Sequence, residues 1–139
     1  MVPVEVLAAA AIAGVAANVS GYLITGRLFH RYQSTTPATW RTVESWTHYS
    51  YAAVIRIGVC IGIAILYSVV RASLPRGASG LLIGLGFGLI LWTVAILPVV
   101  LEAALFVNWH RGFVIGLLLD WLVVCLLAGG SAAVAIGAL

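Results

Sequence analysis

Apolar and polar positions divide this chain into a simple alternation of long and short pieces. Four hydrophobic runs, about 6–29, 48–70, 81–107 and 112–136, are separated by the polar stretches RYQSTTPATWRTVESW, RASLPRGAS and NWHRG. A helix rises about 1.5 Å per residue, so about 20 apolar residues cross the roughly 30 Å hydrocarbon layer of a bilayer. Each run is long enough. None alternates apolar with polar residues as a barrel strand must, and an open sheet edge cannot be satisfied in lipid. The pattern predicts an all-α integral membrane four-helix bundle, a single transmembrane domain over residues 1–139 built from two helical hairpins.

The first polar stretch predicts more than a loop. Thr36 before Pro37 pairs a capping residue with the favoured first-turn residue. From there Arg41, Glu44, His48, Tyr51 and Ile55 recur at three- and four-residue steps, placing them on one helical face. This spacing predicts an interfacial helix that starts near Pro37 and leads into span two, with Trp40, Trp46, Tyr49 and Tyr51 at headgroup level. At the N-terminus, MVPVEVLAAAAIAGVAA imitates a signal peptide. It lacks a basic leader, carries Glu5 and stays apolar as far as Ile24, so a retained helix is expected.

Composition agrees. The chain is 63% hydrophobic and 8% charged, with a mean hydropathy of +1.16. A soluble domain carries roughly a quarter of its residues as charges. All seven basic residues are arginine, and four acids leave a net charge of +3. These cations are scattered, which excludes a nucleic-acid groove. Arg27, Arg31, Arg41 and Arg111 fall on one membrane face, against Arg71 and Arg76 on the other. The positive-inside rule then puts both termini in the periplasm.

Small residues mark the expected packing faces. Gly80, Gly84 and Gly88 step by four, as do Gly58 and Gly62, Gly112 and Gly116, and Ala10 and Gly14. Such rows allow close helix contact in lipid, where no hydrophobic force drives association. No strand precedes GLGFG, so it is not a nucleotide loop. Cys60 and Cys125 sit in apolar runs without CxxC spacing and read as small buried side chains.

The candidate chemistry lies in LPVVLEAALFVNWHRGFVIGLLLDW, residues 97–121, where Glu102 and Asp120 stand nine residues to either side of Arg111. With the turn at Arg111, both would lie about 12 Å below it. Arg56 falls at a similar depth in span two, with Asn18 somewhat deeper and Arg27 somewhat shallower. A lone charge at such a depth costs at least about 2.5–3.5 kcal/mol, so these groups should face inward and pair. The planar fork of Arg56 suits one or both carboxylates. The expected polar cluster is Arg56, Glu102, Asp120, Asn18 and Arg27, either a structural knot or a ligand pocket.

His30, His48 and His110 fall at span ends on the same face and, with Glu44, read as interfacial residues. They are too shallow for a bis-His haem and lack the Cys or close His partner of a zinc site. No metal, cofactor or catalytic residue is expected. The pattern fits a binding or assembly protein whose partners are the bilayer and a second copy or another membrane protein. One alternative is a small dimeric transporter. The other is an intramembrane enzyme using Glu102 and Asp120 as acid and base on a lipid-soluble substrate.

Over residues 80–130, GLLIGLGFGLILWTVAILPVVLEAALF followed by HRGFVIGLLLDWLVVCLLAGG resembles the small four-helix bacterial membrane proteins of domain-of-unknown-function family 1761. The shared features are a glycine-rich third span with a late proline, a short polar turn and an apolar fourth span. The resemblance implies the same four-helix fold in a bacterial inner membrane, and it brings no catalytic residue.

The arginine distribution makes a direct prediction. In bacterial cells a C-terminal alkaline phosphatase fusion should be active and a C-terminal green fluorescent protein fusion dark. The opposite pair of readings would reverse the topology.

Overall fold

A computed structural model describes residues 2–33, 35, 45–73 and 80–137. It is all-helical. Helix α1 (Val4–Leu23) continues through a π-helical turn at Ile24–Leu28 and a 3-10 turn at His30–Tyr32. Helix α2 is Trp46–Val70, followed by a 3-10 turn at Arg71–Ser73. Span three is α3 (Gly80–Leu91), a π-helical turn at Trp92–Ile96 and α4 (Leu97–Phe106). Helix α5 runs Arg111–Gly137. Among the described residues, four segments, Val4–Leu28, Trp46–Val70, Gly80–Phe106 and Arg111–Gly137, are long and apolar enough to cross a membrane.

The start of α2 differs from expectation. Ser45 is extended, with φ −120° and ψ 156°, and its hydroxyl and backbone form a capping box with His48. That break prevents one continuous helix from Pro37 into span two. The rest of the predicted interfacial helix, including Thr36, Trp40, Arg41 and Glu44, lies outside the described residues, as does Arg76.

Helix α5 is the hub. It packs along α3, α1 and α2, while α1 and α2 also pack on each other. The backbone of span three comes close to α2 at few points and to α1 at none among the described residues, although Phe87 reaches Tyr67 of α2. Span three is held almost wholly by α5, and it is held there backbone to backbone. A Cβ at Gly84 would collide with the carbonyl of Gly129, one at Gly88 with the carbonyl of Cys125, and one at Gly129 with the carbonyl of Gly84. The predicted row 80–84–88 is therefore the α3 face that meets α5. Ala10 and Gly14 are also buried, and a Cβ at Gly14 would lie 2.7 Å from the Cα of Ile57 on α2.

Two of the predicted rows do something else. Gly58 and Gly62 face outward, with nothing near a Cβ at either position. Gly112 and Gly116 make room for the rings of Tyr32 and Phe29, not for another helix backbone.

Two clusters fill the interior. Ala17, Cys60, Ile63, Val124, Cys125 and Ala128 form one, and Val6, Ala10, Ala64, Tyr67, Ala132 and Ala133 the other. Both cysteines are buried and free, as expected of small apolar side chains. Tyr67 is fully buried and packs edge-on against Phe87 at 5.4 Å.

These contacts separate the glycines by role. Gly84→Ala and Gly88→Ala should each destabilise the bundle by about 1–3 kcal/mol, the usual cost of overpacking. Gly58→Ala and Gly62→Ala should leave stability unchanged or raise it by about 0.5–1 kcal/mol through helix propensity. Unfolding in detergent, followed by far-UV circular dichroism, measures all four. Equal losses at the four positions would contradict the packing described.

Candidate functional site

Among the described residues, Asp120 is the one acid inside the bundle. It sits on α5 with 0% of its surface exposed. Arg56, from α2, is 16% exposed and meets it with both arms of the guanidinium. Nη1 donates to Oδ1 at 2.9 Å and Nη2 donates to Oδ2. Nη1 also donates to the carbonyl of Ala17 on α1 at 3.3 Å, and the group lies 5.6 Å from the ring centre of Trp121. Thr25 Oγ1 donates to Asp120 Oδ2 at 3.0 Å, so three spans converge on one carboxylate. It is the one ion pair between described residues.

Local backbone features position each partner. Thr25 belongs to the π-helical turn at the end of α1. A π turn adds a residue to the helical repeat and re-aims the side chains on it. Gly21, one turn earlier, leaves the space that the guanidinium fills: a Cβ there would lie 2.6 Å from Arg56 Nη1. Asn18 lies nearby but does not reach the carboxylate. Its Nδ2 donates to the carbonyls of Gly14 at 2.9 Å and Ala53 at 3.3 Å, tying α1 to α2.

Two further predicted members are absent from the knot. Glu102 is exposed on α4 and makes no ion pair with a described residue. The expectation of equal depth placed the turn at Arg111, whereas α4 ends at Phe106 and α5 starts at Arg111. Glu102 is therefore about one turn from the end of its span, but Asp120 is nine residues into α5, about 13 Å along the axis. The antiparallel pairing of Gly84 with Gly129 and Gly88 with Cys125 agrees, since its continuation brings Glu102 level with the first turn of α5. Arg27 is exposed as well. Its Nε donates to Tyr22 Oη at 3.0 Å, with the guanidinium 5.5 Å from that ring's centre.

Each histidine has a local setting. His30 is exposed in the 3-10 turn after α1. Nδ1 of His48 accepts the Ser45 amide at 3.3 Å, while Nδ1 of His110 accepts the Gly112 amide at 3.0 Å and so caps α5. No three potential metal ligands come together among the described residues. Glu44 lies outside them.

Thr25, Gly21 and Trp121 are members that the sequence reading did not name. Carrying the small-residue row of α1 from Ala10 and Gly14 onward through Ala17 to Gly21 gives steps of four, three and four, all buried. A further step of four reaches Thr25. That extension was the available signal. Trp121 offered none beyond its place next to Asp120.

Chemically, the arrangement is closed. Both carboxylate oxygens accept charge-assisted bonds, and one also accepts a hydroxyl. Glu102 does not face Asp120, so the pair cannot divide acid and base roles in one pocket. No family model, curated protein or solved structure matches the chain.

Breaking a buried pair costs more than deleting it, because the remaining charge is stranded. Arg56→Leu should destabilise the bundle in detergent by about 3–5 kcal/mol, and adding Asp120→Leu should recover most of that loss. Glu102→Gln should leave the unfolding midpoint where it is. A harmless Arg56→Leu, or a Glu102→Gln as damaging as Arg56→Leu, would refute this assignment.

Proposed function

We propose that the chain is a non-catalytic binding and assembly protein of a bacterial inner membrane, with both termini on the periplasmic side. The observation that carries this reading is the engagement of both Asp120 oxygens. Both are engaged by Arg56 and Thr25, so this fully buried acid is spent on holding three helices together. An intramembrane enzyme or a proton-carrying transporter would need that carboxylate free to change partners or to exchange a proton.

The uneven packing supports an assembly role. Span three is anchored on one side by α5 and leaves its other face uncovered among the described residues, with Ile90, Val94, Val99 and Leu105 each more than half exposed. Thr93 is exposed on the same segment. The partner on this face is a second copy of the chain or another transmembrane helix.

The test uses the full chain in nanodiscs, weighed by light scattering and probed by cross-linking in native membranes. The parent should form a stoichiometric complex, homomeric or with one partner. Val94→Trp and Val99→Trp should dissociate it, while Val15→Trp on the exposed face of α1 should not. A chain that is monomeric in nanodiscs and cross-links to nothing would remove the assembly reading.

A further inference from the structure

The end of the bundle where span one exits and α5 begins carries a second built cluster, separate from the Asp120 knot. Tyr32 is its centre. Its ring stacks on His110 with centroids 4.5 Å apart and planes 8° from parallel. It occupies the space beside Gly112, where a Cβ would lie 2.6 Å from the ring. Arg31 Nη2 donates to the Tyr32 hydroxyl at 2.8 Å, and the Arg31 guanidinium lies 4.8 Å from the ring centre. The stack thus fastens the exit of span one to the first turn of α5, and each side brings an exposed arginine, Arg31 and Arg111.

The leading amides of α5 are already engaged. Gly112 N–H goes to His110 Nδ1, while Phe113 and Val114 donate to the His110 carbonyl at 2.8 and 3.2 Å. Anion recognition at this end therefore falls to the side chains. Glu102 is the one described carboxylate at this level, and it is not paired with Arg111.

We propose that this cluster binds the phosphate of an anionic phospholipid. The cations supply the charge, as juxtamembrane arginines do toward anionic lipid. The choice of a lipid over a free anion rests on what lies directly beyond. Leu28 (66% exposed) and Ile115 (53%), each about one turn deeper than Arg31 or Arg111, present an apolar surface for acyl chains. Trp109, packed edge-on against Phe113 at 5.6 Å, adds an amphipathic ring of the kind found at headgroup depth. A headgroup with its chains matches both halves of this surface, whereas a free phosphate matches only one.

Native mass spectrometry of the full chain from mild detergent tests it, using phosphatidylglycerol and phosphatidylcholine with the same acyl chains. The parent should retain phosphatidylglycerol in preference. Arg111→Gln should weaken that binding roughly fivefold, and Arg31→Gln with Arg111→Gln by roughly 20-fold. Arg71→Gln, at the opposite end of the bundle, should change it less than twofold, and phosphatidylcholine retention should not move in any variant. Inorganic phosphate at millimolar concentration should fail to displace the lipid. If Arg31→Gln perturbs folding by freeing Tyr32, the exposed Arg111→Gln alone decides the matter. Parental affinity in Arg111→Gln, an equal loss in Arg71→Gln, or displacement by inorganic phosphate would each overturn the proposal.

Discussion

A carboxylate on the central helix, deep in an apolar bundle, has to be neutralised where it stands. Asp120 imposes that demand, and three of the four spans are arranged around meeting it. An isolated ionised carboxylate in hydrocarbon is untenable, and a buried pair succeeds only when its geometry is good and its remaining lone pairs are filled. The knot meets the first condition and most of the second. Arg56 supplies the countercharge in fork geometry, Thr25 fills a further acceptor site, and the Ala17 carbonyl takes a spare donor. The cost of this arrangement appears in the backbone of α1. Gly21 gives up its side chain to admit the guanidinium, and a π turn re-aims Thr25.

Span three obeys a different constraint. It contributes nothing to the knot and has little contact with α1 or α2, so its attachment depends on how close it can come to α5. Dispersion between packed surfaces is the main attraction available between helices in lipid, and it falls off steeply with separation. Glycine on both sides of the contact, Gly84 and Gly88 against Gly129, brings backbone onto backbone. The π turn at Trp92–Ile96 and Pro98 after it disturb the helical ladder at mid-span. Trp92 secures that region by donating from Nε1 to the Leu118 carbonyl at 2.9 Å. Two attachment modes coexist on one hub helix: polar toward α2 and span one, through an ion pair and a hydroxyl bond, and steric toward α3.

Much of this was legible in the residue pattern, and the failures have identifiable causes. Four spans, their ends to within about two residues, and the glycine row of α3 follow from run length and spacing alone. Arg56 and Asp120 could be matched because each is costly in lipid unless paired. Glu102 was misplaced because depth was counted from Arg111, although Val107–His110 are not helical and the two helices do not start level. Azimuth was the other gap. Counting along a chain says how deep a residue lies, but not which way it faces without knowing the neighbour, so Glu102 and Arg27 were assigned inward and point out. The π turns were not foreseeable either, since no residue type requires one.

Small-residue rows occur on all four spans, so they cannot by themselves decide which faces meet. Helix α2 shows how the choice is made. Its row at Gly58 and Gly62 would serve for close packing, yet it faces outward. At 100° per residue, Gly58 lies about 200° around the helix from Arg56, and the two cannot face the same neighbour. Pairing with Asp120 turns Arg56 inward, which sets Cys60, Ala64 and Tyr67 into the core and expels the glycines. The ion pair therefore acts chiefly as a selector among packings of similar quality. An apolar replacement of both partners can match its stability while removing the reason for α2 to keep this rotation. In such a variant the Gly58–Gly62 face becomes a competing contact surface, so the bundle would keep its four spans and lose its single arrangement of them.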